Sequence, residues 1–312
     1  MNPTHEMAVG DVALDVAAAK AVARARPFVV ATPILRIATF HSGSLSALVA
    51  SLPALLALRE SFPGAGLTCF ARQPHLSLLQ NFRACDEAIA RPGGGVAGQA
   101  ALMARLHAGN YDLGVSFSTG ANAMLLLWST GADQRAGFVP SPFEAFLTHR
   151  VAHRGALTIE SALELVAEVG AHRRSNAPRD SLFVPDERYD ALRQALPFAP
   201  ETFVLVPFDA RSPKDADGDW PGAVTALRAH WPVVLVAPRA GRWKDVASLP
   251  ARHPAQLWPS PDALTLLALI RASRAVVGPR GAATELALLD GHRTLRTTPE
   301  DAEREALGAL GL

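Results

Sequence analysis

The chain has 312 residues, of which 49% are hydrophobic and 19% are charged, a composition typical of globular proteins that excludes extensive disorder. Its formal net charge of +1 at pH 7 excludes a general electrostatic attraction to nucleic acid or to an anionic membrane. The two cysteines, Cys69 and Cys85, are too few for a disulfide framework and lack metal-ligand spacing. They favour a reducing, cytoplasmic location.

The first thirty residues form an alanine- and valine-rich stretch that also carries charged side chains. A secretory signal peptide would not contain those charges, so we predict an N-terminal helical extension over residues 1–33. The longest apolar stretch, Leu45–Leu58, is interrupted by Pro53 and is too short to span a bilayer. Pro53 predicts either a kinked helix or a second helix that Ser51 caps.

Strand-like and helical patterns alternate along the first half, which predicts a parallel sheet built from βαβ units. The predicted strands are Ile37–His41, Leu67–Ala71, Glu87–Ala90, Tyr111–Phe117 and Gln134–Phe138. The predicted helices are Leu48–Arg59, Gln73–Asn81, Ala97–Ala108, Ala121–Ser129 and Ile159–Gly170.

The same alternation restarts after a proline-containing basic stretch. The predicted strands there are Phe203–Pro207, Val233–Ala237 and Ala275–Val277, and the predicted helices are Gly222–His230, Ala263–Ala272, Ala283–Leu289 and Glu300–Leu310. We therefore predict an α/β protein with two Rossmann-like domains that face each other across a cleft. The predicted domains cover residues 34–175 and 201–312, and residues 176–200 form the linker.

The segment Arg36–Ala47 is the most informative local pattern. A short apolar strand leads into a loop of small residues, and a helix rich in leucine and alanine follows. In α/β sheets this arrangement presents backbone N–H groups and a helix N-terminus to a ligand. The loop contains Ser42, Ser44 and Ser46 but no carboxylate, so it predicts an uncharged wall of a binding site.

Several ordered segments of the chain resemble the glycosyltransferase family 9 enzymes, the ADP-heptose:lipopolysaccharide heptosyltransferases. In the first half, Ser44–Leu55 is similar to the family's "SSLGD…PAL" pattern, and Phe62–Phe70 to its "YPDA" turn with the following strand. Tyr111–Leu113 and Arg135–Phe138 resemble its "YDL" and "RIGF" strands. In the second half, Val204–Pro207, Trp220 with Pro221, and Leu264–Ala287 resemble its "HPG", "KRWP" and "VGNDSGPMHLA" segments.

The resemblance implies a GT-B-like fold, with the acceptor on the first domain and a nucleotide-sugar donor, ADP-heptose in the family, on the second. The polar positions of the family's motifs differ in this chain. The proposed catalytic aspartate falls on Ala47, the "NDSG" loop on Pro279–Ala282, and the loop's histidine on Glu285. The lysine of the "KRWP" helix falls on Gly218, and the histidine of "HPG" on Val206.

An inverting sugar transfer needs a base for the acceptor hydroxyl and positive or N–H groups for the departing diphosphate. Because Ala47 cannot act as a base, we consider His41, Asp209 and Glu285 as substitutes. Each has an alternative interpretation: His41 can be a hydrogen-bonded histidine at a strand end, Asp209 a turn or cap residue, and Glu285 a first-turn residue that favours the helix dipole.

The donor site implied by the resemblance lies in the second half, where an arginine and helix N–H groups can meet a phosphate. Its candidate residues are Pro207, Lys214, Trp220, Gly278, Arg280, Gly281 and Ala282. Tryptophans at helix starts often pack into the core instead, and Lys214 lies in an acidic loop that is typical of exposed ion pairs. We predict no metal site and no cofactor.

A basic cluster of His149, Arg150, His153 and Arg154 with His172–Arg174 either faces a phosphorylated lipid-linked glycan or is a solvated surface. The main functional hypothesis is a cytoplasmic glycosyltransferase with a nucleotide sugar and a cell-envelope glycan as substrates, no nucleic-acid partner, and peripheral contact with the inner membrane. A catalytically impaired relative that binds nucleotide sugars or serves as a partner subunit is the alternative. A third hypothesis is another nucleotide-binding α/β protein with a coincidental resemblance.

Overall fold

The computed structural model describes residues 33–41, 43–92, 96–173, 179–208, 217–238 and 242–311. Most of the predicted N-terminal extension lies outside these residues, as do the predicted site residues Ser42, Asp209 and Lys214. Residues 34–312 form one unit built around two parallel sheets.

The first sheet contains six strands among the described residues. They are β1 Arg36–Phe40, β2 Gly66–Ala71, β3 Glu87–Ala90, β4 Leu113–Ser116, β5 Gln134–Val139 and β6 His149–Ala152. The helices of this half are α1 Leu45–Ser61, α2 Leu76–Gln80, α3 Val96–Ala108, α4 Ala121–Ser129 and α5 Ile159–Ala167. The strand order is β3-β2-β1-β4-β5-β6, with every neighbouring pair parallel, which is the doubly wound order of a Rossmann fold.

The second sheet has the order β11-β10-β7-β8-β9, again with every pair parallel. Its strands are β7 Val204–Pro207, β8 Val233–Ala237, β9 Ala255–Pro259, β10 Ala275–Gly278 and β11 Thr294–Arg296. The helices of the second half are α6 Asp186–Ala195, α7 Trp220–Leu227, α8 Trp243–Ser248, α9 Ala263–Ala272, α10 Ala282–Leu289 and α11 Ala302–Leu310. The predicted α/β fold with two Rossmann-like sheets is confirmed.

Helix α1 runs without a break through Pro53. Ser44 caps its start, with its hydroxyl accepting a hydrogen bond from the N–H of Ala47 at 3.2 Å. Ser51 does not cap a second helix, because its hydroxyl donates to the carbonyl of Leu48 inside the same helix. The predicted alternative of a second helix capped by Ser51 is therefore wrong, and Pro53 removes one backbone donor inside a single helix.

Every residue of α1 from Ala47 to Leu58 is buried. The helix packs against α5 of the first half and α10 of the second half. A helix that is apolar on all sides belongs inside a core rather than at a surface. One hydrophobic cluster accordingly includes residues of α1 together with residues of α9 and α10, so the two sheets share part of their core.

Five elements escaped prediction: β6, α6, α8, β9 and β11. Helix α6 lies within residues 176–200, which we predicted to be a linker, and its sequence DERYDALRQA has a low apolar content. Strand β6 has the sequence HRVA, with a charged or titratable side chain at two of its four positions. Short polar elements such as these give little periodicity, and their neighbours in the fold stabilise them.

No helix among the described residues has the length and apolar character needed to cross a bilayer.

Candidate functional site

The carboxyl ends of the strands form the ligand-binding edge of an open parallel sheet, above all where the strand order reverses. That point lies between β1 and β4 in the first sheet and between β7 and β10 in the second. At the second point Gly278 passes close to Pro207: a Cβ atom on Gly278 would lie 3.1 Å from the Pro207 Cδ and 3.3 Å from its carbonyl oxygen. The candidate donor-site residues Pro207 and Gly278 thus shape the backbone at this edge.

A cavity of about 460 Å³ lies between the two halves. We call it the cleft cavity. From the first half it is lined by Ser46 and Ala50 of α1 and by residues 156–160 at the start of α5, and from the second half by Arg280, Gly281, Glu285 and Arg296. The structure therefore brings together four of the predicted site residues: Ser46, Arg280, Gly281 and Glu285.

Two arginines hold the carboxylate of Glu285. Arg296 donates from Nη2 to Glu285 Oε2 at 2.5 Å, and Arg280 Nε lies 3.3 Å from Glu285 Oε1. The Glu285 carboxylate therefore bridges the two guanidinium groups. This arrangement holds the two arginines at one wall of the cavity, and the role of Glu285 as the catalytic base stays a prediction.

A second carboxylate, that of Glu160, lines the cleft cavity from the start of α5. Its own backbone N–H and the side chain of Thr158 lower the pKa of this group, and Arg280 contributes in the same direction. Thr158 and Ser161 form a capping box at this helix start. The Glu160 carboxylate is therefore a weak base, and it faces the guanidinium of Arg280 across the cavity.

Helix α10 begins at the cleft cavity. Gly281 is its N-cap, and the hydroxyl of Thr284 accepts from the N–H of Gly281 at 2.9 Å. Ala282 is the first helical residue and is buried. The positive end of the helix dipole and the exposed guanidinium of Arg280 thus lie at one wall of the cavity, an arrangement that favours an anionic ligand.

A smaller cavity of about 240 Å³ lies beside the first and shares Ser46, Ala156 and Leu157 with it. We call it the strand-end cavity, because its other lining residues lie at or after the carboxyl ends of β1, β4, β5 and β6. They are Ser44, Ala47, Phe117, Ser118, Thr119, Phe138, His153 and Gly155. Ser44 and Ser46 of the predicted loop therefore line a cavity together with Ala47, where the family resemblance places an aspartate.

His41 is fully buried and lines neither cavity. Its Nε2 lies 3.1 Å from the Thr39 hydroxyl and its Nδ1 lies 3.0 Å from the Ser51 hydroxyl, while its ring stacks on Phe117. Burial lowers the pKa of His41 to about 3, with further contributions from Arg91 and His75. The proposed catalytic role of His41 is not supported, because its imidazole belongs to the core and both of its nitrogens already have partners.

Trp220 is also a core residue, with a relative exposure of 1%. Its ring meets Phe208 edge-on at 5.4 Å, and Phe208 stacks on Trp243 at 3.9 Å. The prediction that Trp220 contacts the donor is therefore not supported, and the alternative of a tryptophan packed at a helix start describes it better.

The structure also shows a basic cluster that the sequence analysis missed. It consists of Arg72, His75 and Arg91, which surround the loop after β1. Arg91 donates to the carbonyl of His41 at 2.5 Å, and His75 Nε2 lies 3.1 Å from the carbonyl of Gly43. Burial lowers the pKa of Arg91, and the nearby charge of Arg72 lowers it further.

None of the ion pairs among the described residues includes Arg72 or Arg91. The positive charge at this sheet edge is therefore available to an anionic ligand. A signal for the cluster was present in the sequence, because Arg72 directly follows the predicted strand Leu67–Ala71 and Arg91 directly follows Glu87–Ala90.

No model of a protein family matches the sequence, and no curated protein matches it. Solved structures do match it. The glycosyl transferase family 9 structure from Veillonella parvula is 13% identical, with a TM-score of 0.69 over 85% of this chain and 81% of that one. The E. coli ADP-heptose lps heptosyltransferase II is 16% identical, with a TM-score of 0.70 over 85% of this chain and 86% of that one.

A third structure, the E. coli heptosyltransferase WaaC with ADP-2-deoxy-2-fluoro heptose, is 15% identical, with a TM-score of 0.62 over 83% of this chain and 87% of that one. The resemblance predicted from short sequence segments is thus confirmed at the level of the fold, despite the low identity. The chain has the two-sheet architecture of solved family 9 glycosyltransferases and heptosyltransferases.

Proposed function

We propose that the protein is a glycosyltransferase that moves a sugar from a nucleotide-sugar donor, ADP-heptose or a relative of it, to a glycan of the cell envelope such as lipopolysaccharide. The observation that carries this proposal is the cleft cavity, which joins the carboxyl edges of two Rossmann-like sheets and has arginines and a helix start on its second-sheet wall. The fold of the solved heptosyltransferases supports it.

In this proposal Arg280, Arg296 and the start of α10 hold the donor diphosphate and stabilise the charge that develops as the nucleoside diphosphate departs. The acceptor enters from the first sheet, beside Ser44 and Ser46. The basic cluster of Arg72, His75 and Arg91 lies at the same sheet edge, so it suits an acceptor that carries phosphate or carboxylate groups.

The direct test is a donor panel of ADP-heptose and other ADP-, UDP-, GDP- and CMP-sugars, measured by calorimetry on folded protein. We expect binding of an ADP-sugar. Absence of binding to every donor would refute the proposal.

A matched pair of variants then tests the donor wall. Arg280→Ala should weaken donor binding by about 1.5 kcal/mol, the lower end for a hydrogen bond to a charged group, because the Arg280 side chain is 77% exposed. This corresponds to roughly a tenfold rise in Kd. Arg193→Ala removes an exposed arginine of α6 outside the cleft and should leave Kd unchanged. Equal effects of the two variants would exclude a specific role for Arg280.

The alternative function is a relative that binds a nucleotide sugar without transferring it. The observation in its favour is Ala47, which leaves the strand-end cavity without a carboxylate among its lining residues. Turnover separates the two functions: release of ADP from ADP-heptose, with heptose-deficient lipopolysaccharide as acceptor, supports transfer, whereas donor binding without ADP release supports the alternative.

We further propose that the protein works in the cytoplasm and touches the inner membrane through an exposed aromatic patch. Trp128 of α4 and Phe143 are 50% and 46% exposed, and the ring of Phe146 stacks against both of them at 5.6 and 5.7 Å. Leu125 and Arg150 are exposed nearby along α4 and β6. Aromatic side chains with an adjacent arginine suit the headgroup region of a bilayer.

Co-sedimentation with phosphatidylethanolamine–phosphatidylglycerol vesicles tests this contact. The double variant Trp128→Ser with Phe143→Ser should lose vesicle binding. The control Phe183→Ser changes another exposed phenylalanine and should retain it. If the wild type remains in the supernatant, the proposed membrane contact is wrong, and the glycosyltransferase proposal is unaffected.

A further inference from the structure

The two adjoining cavities contain three side chains that can accept a proton. Among the described lining residues these are Glu160 and Glu285 in the cleft cavity and His153 in the strand-end cavity. A sugar transfer needs one such group within reach of the acceptor hydroxyl.

Both carboxylates have ionic or hydrogen-bonded contacts, and in Glu285 the Oε1 atom takes part in an ion pair but makes no hydrogen bond. Glu285 lies between Arg280 and Arg296, and Glu160 is hydrogen-bonded at the start of α5 and faces Arg280. The contacts of Glu160 lower the pKa of its carboxyl group, so this carboxylate holds a proton weakly. Glu285 also lies on the wall of the arginines, where the donor diphosphate is proposed to bind, whereas Glu160 lies on the opposite wall and faces Arg280.

His153 lines the strand-end cavity instead and is in no ion pair among the described residues. It directly follows β6, its backbone N–H donates to the carbonyl of Val139 at 2.9 Å, and its ring rests on Phe138 with the ring centres 4.8 Å apart. Its Nε2 is covered from solvent and has no hydrogen-bond partner. A covered polar atom without a partner is unfavourable in the unliganded protein and gains a hydrogen bond when a ligand supplies one.

The position of His153 matches the residue that is missing. It lines the same cavity as Ala47, Ser44 and Ser46, and this cavity adjoins the one that holds the arginines. We propose that His153 is the general base of the sugar transfer and takes the place of the aspartate that the sequence resemblance implies at the position of Ala47. This inference rests on the proposed glycosyltransferase function.

The step balances as a single displacement. His153 Nε2, with the ring proton on Nδ1, takes the proton of the acceptor hydroxyl while that oxygen bonds to the anomeric carbon. The bond from the anomeric carbon to the diphosphate breaks, and its electron pair leaves with the nucleoside diphosphate beside Arg280 and Arg296. The imidazolium then returns its proton to solvent. Phe117 and Phe138 in the cavity wall limit the access of water to the reacting oxygen.

The test uses the full chain with ADP-heptose and follows ADP release, both with heptose-deficient lipopolysaccharide and with water as acceptor. His153→Ala should lower the rate of ADP release about 100-fold or more, within the usual range for loss of a general base, and should leave the Kd of ADP-heptose within about twofold. His107→Ala changes an exposed histidine at the end of α3 and is the control, with unchanged rate and Kd.

Added imidazole supplies a readout that a merely structural role would not move. It should restore part of the activity of His153→Ala, because it can occupy the space of the lost ring, and should not stimulate His107→Ala. Retained activity in His153→Ala, or a loss that imidazole does not restore in a variant of unchanged melting temperature, overturns the assignment of His153 alone. If the wild type binds ADP-heptose but releases no ADP, the base role is refuted and donor binding stands. If the wild type binds no donor at all, the proposed glycosyltransferase function is refuted as well.

Discussion

The buried histidine His41 predicts a specific acid sensitivity of the folded protein. Its imidazole is fully buried between Thr39, Ser51 and Phe117. Burial lowers its pKa from the ordinary 6.5 to about 3, and Arg91 and His75 add to the shift. The unfolded chain therefore takes up a proton at this site as the pH falls below 6.5, whereas the folded chain does so only near pH 3. The contribution of His41 to the free energy of unfolding is therefore fully present above pH 6.5 and is lost as the pH falls from 6.5 toward 3.

The size of the effect follows from linkage between protonation and folding. Each pH unit between the two pKa values changes the free energy of unfolding by about 1.36 kcal/mol per group. Going from pH 7 to pH 5 covers about 1.5 units below the unfolded pKa, so His41 should lower the free energy of unfolding by about 2 kcal/mol over that interval. Other titrating groups also change the free energy of unfolding between pH 7 and pH 5. A variant at His41 alone keeps those groups, so their contribution cancels when the two proteins are compared.

Urea unfolding of the wild type and of His41→Gln at pH 7 and pH 5 isolates this contribution. Glutamine can retain hydrogen bonds to Thr39 and Ser51 but has no titrating group in this range. Between pH 7 and pH 5 the free energy of unfolding of the wild type should fall by about 2 kcal/mol more than that of the variant. This difference does not depend on how much the substitution destabilises the protein at pH 7. Parallel losses in the two proteins would refute the assignment of a buried, neutral His41 with a depressed pKa.

Two further changes test other contacts. Asp290 is buried and binds Arg271 through both carboxylate oxygens, at 2.6 and 2.9 Å, so Asp290→Ala should lower the free energy of unfolding by about 3–5 kcal/mol because it strands a partly buried charge. Urea unfolding measures the free energy of unfolding. Replacing both Asp290 and Arg271 by leucine should lower it less than Asp290→Ala alone, because no unpaired charge remains. Ala47→Asp in the His153→Ala background should recover ADP release about tenfold or more if a carboxylate at the start of α1 can act as the base; no recovery would show that Ala47 does not face the reacting hydroxyl.

Much of the scaffold is encoded in local patterns. Strands β3 and β8 and helices α4 and α9 have the predicted bounds, because each is an apolar run or a periodic segment between polar or turn-forming residues. Strands β6, β9 and β11 were not predicted. They are short edge or near-edge strands whose residues are largely part-exposed, so pairing with a neighbouring strand defines them more than their own sequence does.

Some of the candidate site could likewise be predicted from the sequence, and some could not. Arg280, Gly281, Glu285 and Ser46 were predicted from loops at strand ends and do line one cavity. His41 and Trp220 were misassigned because a local pattern does not show whether a side chain at the end of a strand or the start of a helix points outward or into the core.

Two features of the candidate site could be recognised only from the structure: the pair Arg72 and Arg91, and the side chain of His153. Arg72 and Arg91 lie 19 positions apart in the chain and meet only because β2 and β3 pair in parallel. His153 appeared in the sequence as one member of a basic run, and only the structure shows that its Nε2 has no partner. In both cases the relevant property is a spatial relation between residues on different strands.

The burial of α1 on every side has a consequence for the order in which the protein can mature. The helix is made early, at residues 45–61, but one of the surfaces that covers it is α10, at residues 282–289. During synthesis the first sheet can form early. The face of α1 that packs against α10 stays uncovered until most of the remaining chain has left the ribosome. The nascent first half is therefore a natural client for chaperones that bind apolar helices. For the same reason, the two sheets should not be separable into fragments that each remain in solution.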